Sequence, residues 1–205
     1  MLVRTIKTWW LVVAFVSGFG LAMLAEDLAL SWRNNFIEFT APHMHFLTGK
    51  PLEELHRGTQ VAFDVNIALY SGTKSHLFQQ LAQRFLMSYD VWGEQFSVVR
   101  TQSPMQTVTH LDAPSAEAWC LKQMHIDPTG LGETEKLWAR VEVRVPANTK
   151  LQNPFGRERI SESGINLTGL IELFSRPPAA TQPHWSAESG PWTIEEVKRG
   201  SRRGS

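Results

Sequence analysis

Residues 60–70 read QVAFDVNIALY, and this stretch decides the fold class. Its apolar side chains recur at every second position: Val61, Phe63, Val65, Ile67 and Leu69. Because successive side chains of a β-strand point to opposite faces, the alternation predicts a long strand with one buried face and one exposed face. The Ser71-Gly72-Thr73 sequence that follows predicts the end of this strand.

Two further stretches have strand character. Residues 81–101 predict a β-hairpin with its turn at Trp92-Gly93-Glu94. Residues 137–145, LWARVEVRV, predict another strand. On that strand, one set of alternate side chains is expected to face water: Trp138, Arg140, Glu142 and Arg144. Long alternating strands of this kind are typical of an antiparallel sheet with one covered face.

Three segments predict helices. Residues 48–58, TGKPLEELHRG, combine a proline suited to a first helical turn with a glycine suited to a helix end. Residues 115–124 predict a second helix, with Asp112 or Ser115 as its cap. Residues 165–174 predict a third helix, because their apolar side chains fall on one side at helical spacing.

The remaining segments complete the predicted organisation. Residues 33–40, RNNFIEFT, predict a short strand, which residues 43–46 extend or repeat after a proline, and residues 101–114 predict a loop. We therefore expect a single α+β domain over residues 31–175, an antiparallel β-sheet with a few flanking helices. Residues 176–205 are rich in Pro, Ser and Gly and predict a largely irregular, basic tail.

The amino-terminal residues 1–25 have the pattern of an export signal. Arg4 and Lys7 precede the uncharged run WWLVVAFVSGFGLAMLA at residues 9–25, and two acidic residues follow it. The length of the run lies between that of a signal-peptide core and that of a spanning helix. A signal peptide cleaved after residues 20–22 and a retained single transmembrane anchor therefore both stay open. Either one predicts an exported domain, periplasmic or anchored to the inner membrane with the domain outside the cytoplasm.

Charge and composition exclude several classes of protein. The chain has 20 basic and 20 acidic residues, and four of the basic residues lie within the last eight positions. A nucleic-acid-binding domain would show a positive excess, which this chain lacks. A hydrophobic content of 42% and a single cysteine exclude a largely disordered chain and a disulfide scaffold. Trp185 and Trp192 are expected to hold the predicted tail against the domain.

Histidines provide the candidate metal ligands. On a strand, His43 and His45 would point to one face and could reach one ion, with His110 and Asp112 or His56 completing a tetrahedral set. Nothing in the spacing requires this, and no nucleophile elbow, phosphate loop, dinucleotide fingerprint or Cys-x-x-Cys motif occurs. We therefore expect no catalytic residue, no metal and no cofactor. A metal-dependent hydrolase that uses His43, His45 and His110 is the alternative.

One segment resembles a known family. Residues 47–70, LTGKPLEELHRGTQVAFDVNIALY, and a later strand that carries Ser88-Tyr89-Asp90 resemble a bacterial family of exported proteins catalogued as domain of unknown function 4390. The resemblance covers about residues 35–145 and is carried by an apolar pattern with Gly58 and Tyr89. The basic end of the chain has no counterpart in it. The resemblance implies a non-catalytic module of the cell envelope, and it transfers no catalytic residue to this chain.

These patterns together predict a non-catalytic envelope domain that binds a protein, peptide or lipid partner. An exposed sheet edge or an apolar cavity would provide the binding surface. Membrane contact through residues 9–25 is expected if the signal is not cleaved, and no nucleic acid is expected as a partner. A structural subunit of a membrane complex, held by a retained helix at residues 9–25, is a further alternative.

Overall fold

The structure is a computed structural model that describes residues 28–146, 171, 174–175 and 182–203. The segment 1–25, predicted to be a signal peptide or membrane anchor, lies outside these residues. Most of the helix predicted over residues 165–174 also lies outside them. In the described part of the chain, no helix has both the length and the apolar character that a membrane span requires.

The described residues form an α+β fold of antiparallel strands and helices, as predicted, but the strands form two sheets where the sequence predicts one. The strands are β1 (Ala29–Arg33), β2 (Phe36–Thr40), β3 (Val61–Ser71), β4 (Leu77–Asp90), β5 (Gln95–Arg100), β6 (Gln106–Leu111), β7 (His125–Ile126), β8 (Leu137–Arg144) and β9 (His184–Trp192). The helices of known bounds are α1 (Gly49–His56), α2 (Ala113–Lys122) and α3 (Ile194–Arg203). A small sheet has the order β1-β2-β7, and a large sheet has the order β6-β5-β4-β3-β8-β9.

Strand β3 lies in the middle of the large sheet and pairs with β4 and β8. The apolar residues that alternate along it are all buried in the main core, as the sequence predicts. The opposite face is buried as well, at Ala62, Asp64, Asn66 and Ala68. The prediction of an exposed second face is therefore wrong. A small apolar cluster of Ala82, Ile171 and Phe174 contributes to the cover of this face.

Paired charges make this second face compatible with burial. The Asp64 carboxylate is fully buried and accepts two hydrogen bonds from the Arg84 guanidinium, one of them 2.6 Å long between Nη2 and Oδ2. Arg144 is only 3% exposed, pairs with Glu142 and lies 4.6 Å from the centre of the Phe174 ring. The prediction that Arg144 faces water is therefore wrong, because these partners compensate for its lost hydration. Arg140 is about half exposed.

Two predicted segments have a different conformation. Of the strand predicted over residues 33–40, Phe36–Thr40 is confirmed as β2, whereas Asn34 and Asn35 form a two-residue turn that joins it to β1, with φ angles of 50° and 65°. The loop predicted over residues 101–114 contains strand β6. Strand β6 is mostly exposed, so its sequence lacks the apolar alternation that reveals a strand.

The end of the chain is structured where it is described. Strand β9 pairs with β8, and α3 follows it, so the prediction of an irregular tail over residues 176–205 is wrong for residues 182–203. Trp185 packs near Phe46 and Phe63, with ring centres 6.3 and 6.5 Å apart, which confirms that it holds this segment to the core. The domain therefore continues beyond the predicted boundary at residue 175.

Helix α3 covers the free edge of the small sheet. It begins with a capping box, in which the Thr193 and Glu196 side chains each accept the other residue's backbone N–H. Its own residues Ile194 and Val197 are buried. The Trp32 backbone N–H on β1 donates to the Ser201 hydroxyl over 2.5 Å, so the helix satisfies part of an edge that would otherwise be open.

Two cross-strand ion pairs, Arg84 with Asp64 and Arg140 with Glu188, lie on this second face of the large sheet and test directly whether the face is buried. Arg84→Ala is expected to lower the free energy of unfolding by about 3 kcal/mol, because it leaves the Asp64 carboxylate buried without its partner. Arg140→Ala breaks the exposed pair with Glu188 and is expected to cost less than about 1 kcal/mol. Urea denaturation of both variants measures the difference, and equal costs would show that the face is not buried.

Candidate functional site

A cavity of about 330 Å³ lies between β2, the loop at residues 41–48 and helix α2. Its volume falls within the range of small-molecule sites. Most of its wall is apolar, and the residues that line it are Phe39, Thr40, Ala41, Pro42, Met44, His45, Pro114, Glu117, Ala118 and Leu121. The cavity can therefore hold an apolar group of limited size.

The loop that forms one wall is held by its apolar side chains. Met44, Phe46 and Leu47 are buried, whereas His43 and His45 are exposed. The Phe46 ring lies 5.3 Å from the Phe63 ring of β3, so the loop is fixed to the core of the large sheet. This segment is not a strand, and the predicted extension of a strand over residues 43–46 is wrong.

Helix α2 forms the opposite wall. It begins at the predicted cap, because the Asp112 carboxylate accepts the backbone N–H of Ser115 over 2.8 Å. Hydrogen bonds from the Ser115 side chain and backbone lower the pKa of the Asp112 carboxyl. The buried side of the helix consists of Ala116, Glu117, Cys120 and Leu121. Burial, followed by the nearby Glu117 charge, raises the pKa of the Cys120 thiol well above its ordinary value, which leaves the thiol uncharged.

Glu117 joins the two walls. Its side chain is only 7% exposed, and both carboxylate oxygens have partners. Oε1 accepts the backbone N–H of Leu47 over 2.7 Å, and Oε2 lies 3.0 Å from Nδ1 of His45. A buried carboxylate needs such partners to offset the loss of water. The pairing therefore fixes the loop against α2 and sets the width of the cavity.

The orientation of His45 follows from Glu117. An ionised carboxylate only accepts hydrogen bonds, so Nδ1 of His45 carries the proton and donates it to Oε2. In a neutral imidazole, Nε2 is then a hydrogen-bond acceptor. Within the described residues Nε2 has no hydrogen-bond partner, and the side chain is 56% exposed. The Glu117 carboxylate thus orients the ring of a histidine that lines an apolar cavity.

A second, more open groove of about 310 Å³ adjoins the first cavity. His43, Met44 and His45 form one side of it, and Trp185, Ser186 and Ala187 of β9 form the other. His43 and His45, the two candidate metal ligands that the sequence places on one face of a strand, both line this groove, although the segment that carries them is not a strand.

The other predicted metal ligands lie elsewhere. His110 lies on β6, where its Nδ1 is 2.8 Å from the Thr109 hydroxyl. The His56 ring packs at a tilt against Tyr89, with ring centres 4.5 Å apart, and Asp112 caps α2. In the described part of the chain, no group of three or more His, Cys, Asp or Glu side chains could hold a metal ion. The set of His43, His45 and His110 is therefore not assembled there.

A third hollow, of about 480 Å³, lies between the turn of the β1–β2 hairpin, the loop after β7 and α3. Charged side chains, among them Asp127, Glu133 and Lys198, contribute to its wall. Lys198 is already paired with Glu133 over 3.2 Å and lies 4.8 Å from the centre of the Trp32 ring. This hollow is less suited to an apolar group than the cavity beside α2.

Sequence reasoning did not identify Glu117 as a site residue. The signal for it is present in the sequence, because Cys120, Leu121 and Met124 stand at i+3, i+4 and i+7 from Glu117, which is the spacing of one buried helix face. A carboxylate on a buried helix face needs hydrogen-bond partners. A charged residue within an apolar stripe therefore marks a position where another part of the chain supplies them.

Comparison with known proteins finds no protein-family model, no curated protein and no solved structure that matches this chain. The described residues therefore define the class of protein by their fold and site alone: an α+β domain with an apolar cavity beside a buried carboxylate–histidine pair. The resemblance to the exported family 4390 stays a prediction.

Proposed function

We propose that this chain is a non-catalytic envelope domain that binds the apolar part of a lipid or lipid-like molecule. The observation that carries the proposal is the cavity of about 330 Å³ between β2 and α2, whose wall is mostly apolar. Burial of apolar surface contributes roughly 25 cal/mol for each Å² removed from water, so such a wall favours an alkyl or aromatic group. Of the partner classes that the sequence predicts, a lipid suits a mostly apolar cavity best.

The polar contacts of Glu117 at the cavity wall support the proposal that the cavity binds a ligand. Glu117 accepts a hydrogen bond from the Leu47 backbone and another from His45. Both of its carboxylate oxygens therefore hold the loop against α2 and maintain the cavity. The alternative, a metal-dependent hydrolase, requires His43, His45 and His110 around one ion. His43 and His45 lie beside β9, whereas His110 lies on β6, and these strands form opposite edges of the large sheet.

Export is the second part of the proposal and is supported by the sequence. The basic residues Arg4 and Lys7, the apolar run 9–25 and the acidic residues after it have the order of an export signal. The domain would then lie outside the cytoplasm, in the periplasm or held at the inner membrane by residues 9–25. In that location it would meet the lipids and lipid-like molecules that its cavity suits.

Blocking the mouth of the cavity tests the binding proposal. Ala118 is exposed at the rim, so Ala118→Trp is expected to fill the opening and leave the helix intact. N-phenyl-1-naphthylamine, an uncharged dye that fluoresces in apolar surroundings, is titrated into the purified full chain. We expect Ala118→Trp to weaken binding at least about tenfold, which corresponds to about 1.4 kcal/mol.

Lys122→Trp is the matched control for this substitution. Lys122 is exposed on the same helix and does not line the cavity, so the control adds the same indole group outside the site. Its dye affinity is expected to stay within about twofold of the wild-type value, a difference of roughly 0.4 kcal/mol. Wild-type affinity in Ala118→Trp, or equal losses in both variants, would contradict the proposed function.

A fusion of the full chain to β-lactamase tests export, because this enzyme protects a bacterium only from outside the cytoplasm. The fusion is expected to confer ampicillin resistance, and Phe15→Arg with Val16→Arg is expected to abolish it, since each central arginine opposes membrane insertion by about 3 kcal/mol. The mass of the exported fusion separates a cleaved signal from a retained anchor. Resistance that survives both arginines would contradict the export signal.

A further inference from the structure

The unpartnered acceptor nitrogen of His45 goes beyond what an apolar cavity alone requires. A cavity that binds only a hydrocarbon group needs no polar atom at its wall, and each such atom loses hydration when a ligand covers it. Here Glu117 fixes the tautomer of His45, with 3.0 Å between Oε2 and Nδ1. His45 lines the apolar cavity, and the described residues leave its Nε2 without a hydrogen bond.

On this ground we infer that the cavity selects an amphiphile with an alkyl chain and an uncharged hydroxyl head group, whose O–H donates to Nε2 of His45. The inference rests on the proposed function, because it assumes that the alkyl chain occupies the cavity beside α2. An alcohol hydroxyl supplies the donor that a neutral, Nδ1-protonated imidazole needs. A free fatty alcohol and the glycerol group of a monoacylglycerol share this chemistry.

The Glu117 charge disfavours an anionic head group. The Glu117 carboxylate is 7% exposed and lies on the Nδ1 side of the His45 ring, so a fatty-acid carboxylate at Nε2 would approach a like charge. It would also meet an acceptor nitrogen with which it cannot form a hydrogen bond. An ether of the same length lacks the hydroxyl proton and would leave Nε2 without a partner. The site therefore distinguishes an alcohol from both of these close analogues.

Competition against the dye, at one fixed and mildly alkaline pH, measures this selectivity on the full chain. The competitors are 1-decanol, 1-methoxydecane, decanoate and 1-decanoylglycerol. For the wild type we expect 1-decanol to displace the dye at a concentration about fivefold lower than 1-methoxydecane, and decanoate to compete worst. A lower displacing concentration for 1-decanoylglycerol than for 1-decanol would identify a lipid head group, and the reverse order would identify a free alcohol.

Two variants assign the selectivity to the His45–Glu117 pair. His45→Phe keeps a ring at the wall and removes Nε2, so the alcohol and the ether should become equal competitors when each is measured against that variant's own dye affinity. In Glu117→Gln, the amide oxygen can accept the Leu47 N–H while the amide N–H₂ donates to Nδ1 of His45. The ring proton then moves to Nε2, which becomes a donor. We expect the preference for the alcohol to disappear and decanoate to gain at least about tenfold.

The outcomes separate this inference from the proposed function. If the dye fails to bind, or if Ala118→Trp leaves its binding unchanged, the cavity proposal itself is wrong. If the dye binds and Ala118→Trp blocks it, but the wild type treats 1-decanol and 1-methoxydecane alike, the cavity stands and the hydroxyl selectivity is overturned. Selectivity that persists in His45→Phe or in Glu117→Gln would likewise overturn the role assigned to His45.

Discussion

The buried carboxylate of Glu117 is the constraint on which the candidate site depends. It accepts hydrogen bonds from the Leu47 backbone and from His45, and so connects α2 to the loop that forms the other wall of the cavity. Without an acceptor at this position, the Leu47 N–H would be buried and unpaired, at a cost of about 1–3 kcal/mol. One side chain thus sets the shape of the cavity, the path of the loop and the tautomer of the imidazole.

The large sheet supplies the rigid frame for this contact. Strand β3 packs against Phe46 of the loop, and α2 packs against β5 and β2. The second face of β3 is covered as well, and it tolerates burial because Asp64 is paired with Arg84. A site built on elements held from both sides keeps its geometry before a ligand arrives, which lowers the entropic cost of binding.

The sequence predicts most of the strands and helices of the fold but little of the cavity beside α2. The alternation in β3, the hairpin of β4 and β5, the cap at Asp112 and the strand β8 follow from period and turn chemistry, and these are local signals. Strand β6 and strand β9 were missed because edge strands with polar side chains lack that alternation. Arg144 was placed in water because its partners, Glu142 and the ring of Phe174, come together only in the folded chain.

The pairing of His45 with Glu117 is another contact that local sequence patterns do not predict. The two residues are 72 positions apart, and no local pattern joins them. The sequence singled out His45 as a metal ligand beside His43, whereas the structure pairs it with a carboxylate on α2. The position of Glu117 on the buried face of a helix was readable from the spacing, but its partner depended on where the loop at residues 41–48 lies in the fold.

A crystal structure of the full chain grown with 1-decanol tests the central claim most directly. The account predicts that the alkyl chain lies in the cavity against Met44 and Leu121, with the hydroxyl oxygen about 2.8 Å from Nε2 of His45. Glu117 would keep its bonds to Leu47 and His45 in that complex. An empty cavity with the alcohol bound elsewhere, or an alkyl chain whose hydroxyl points away from His45, would contradict the account.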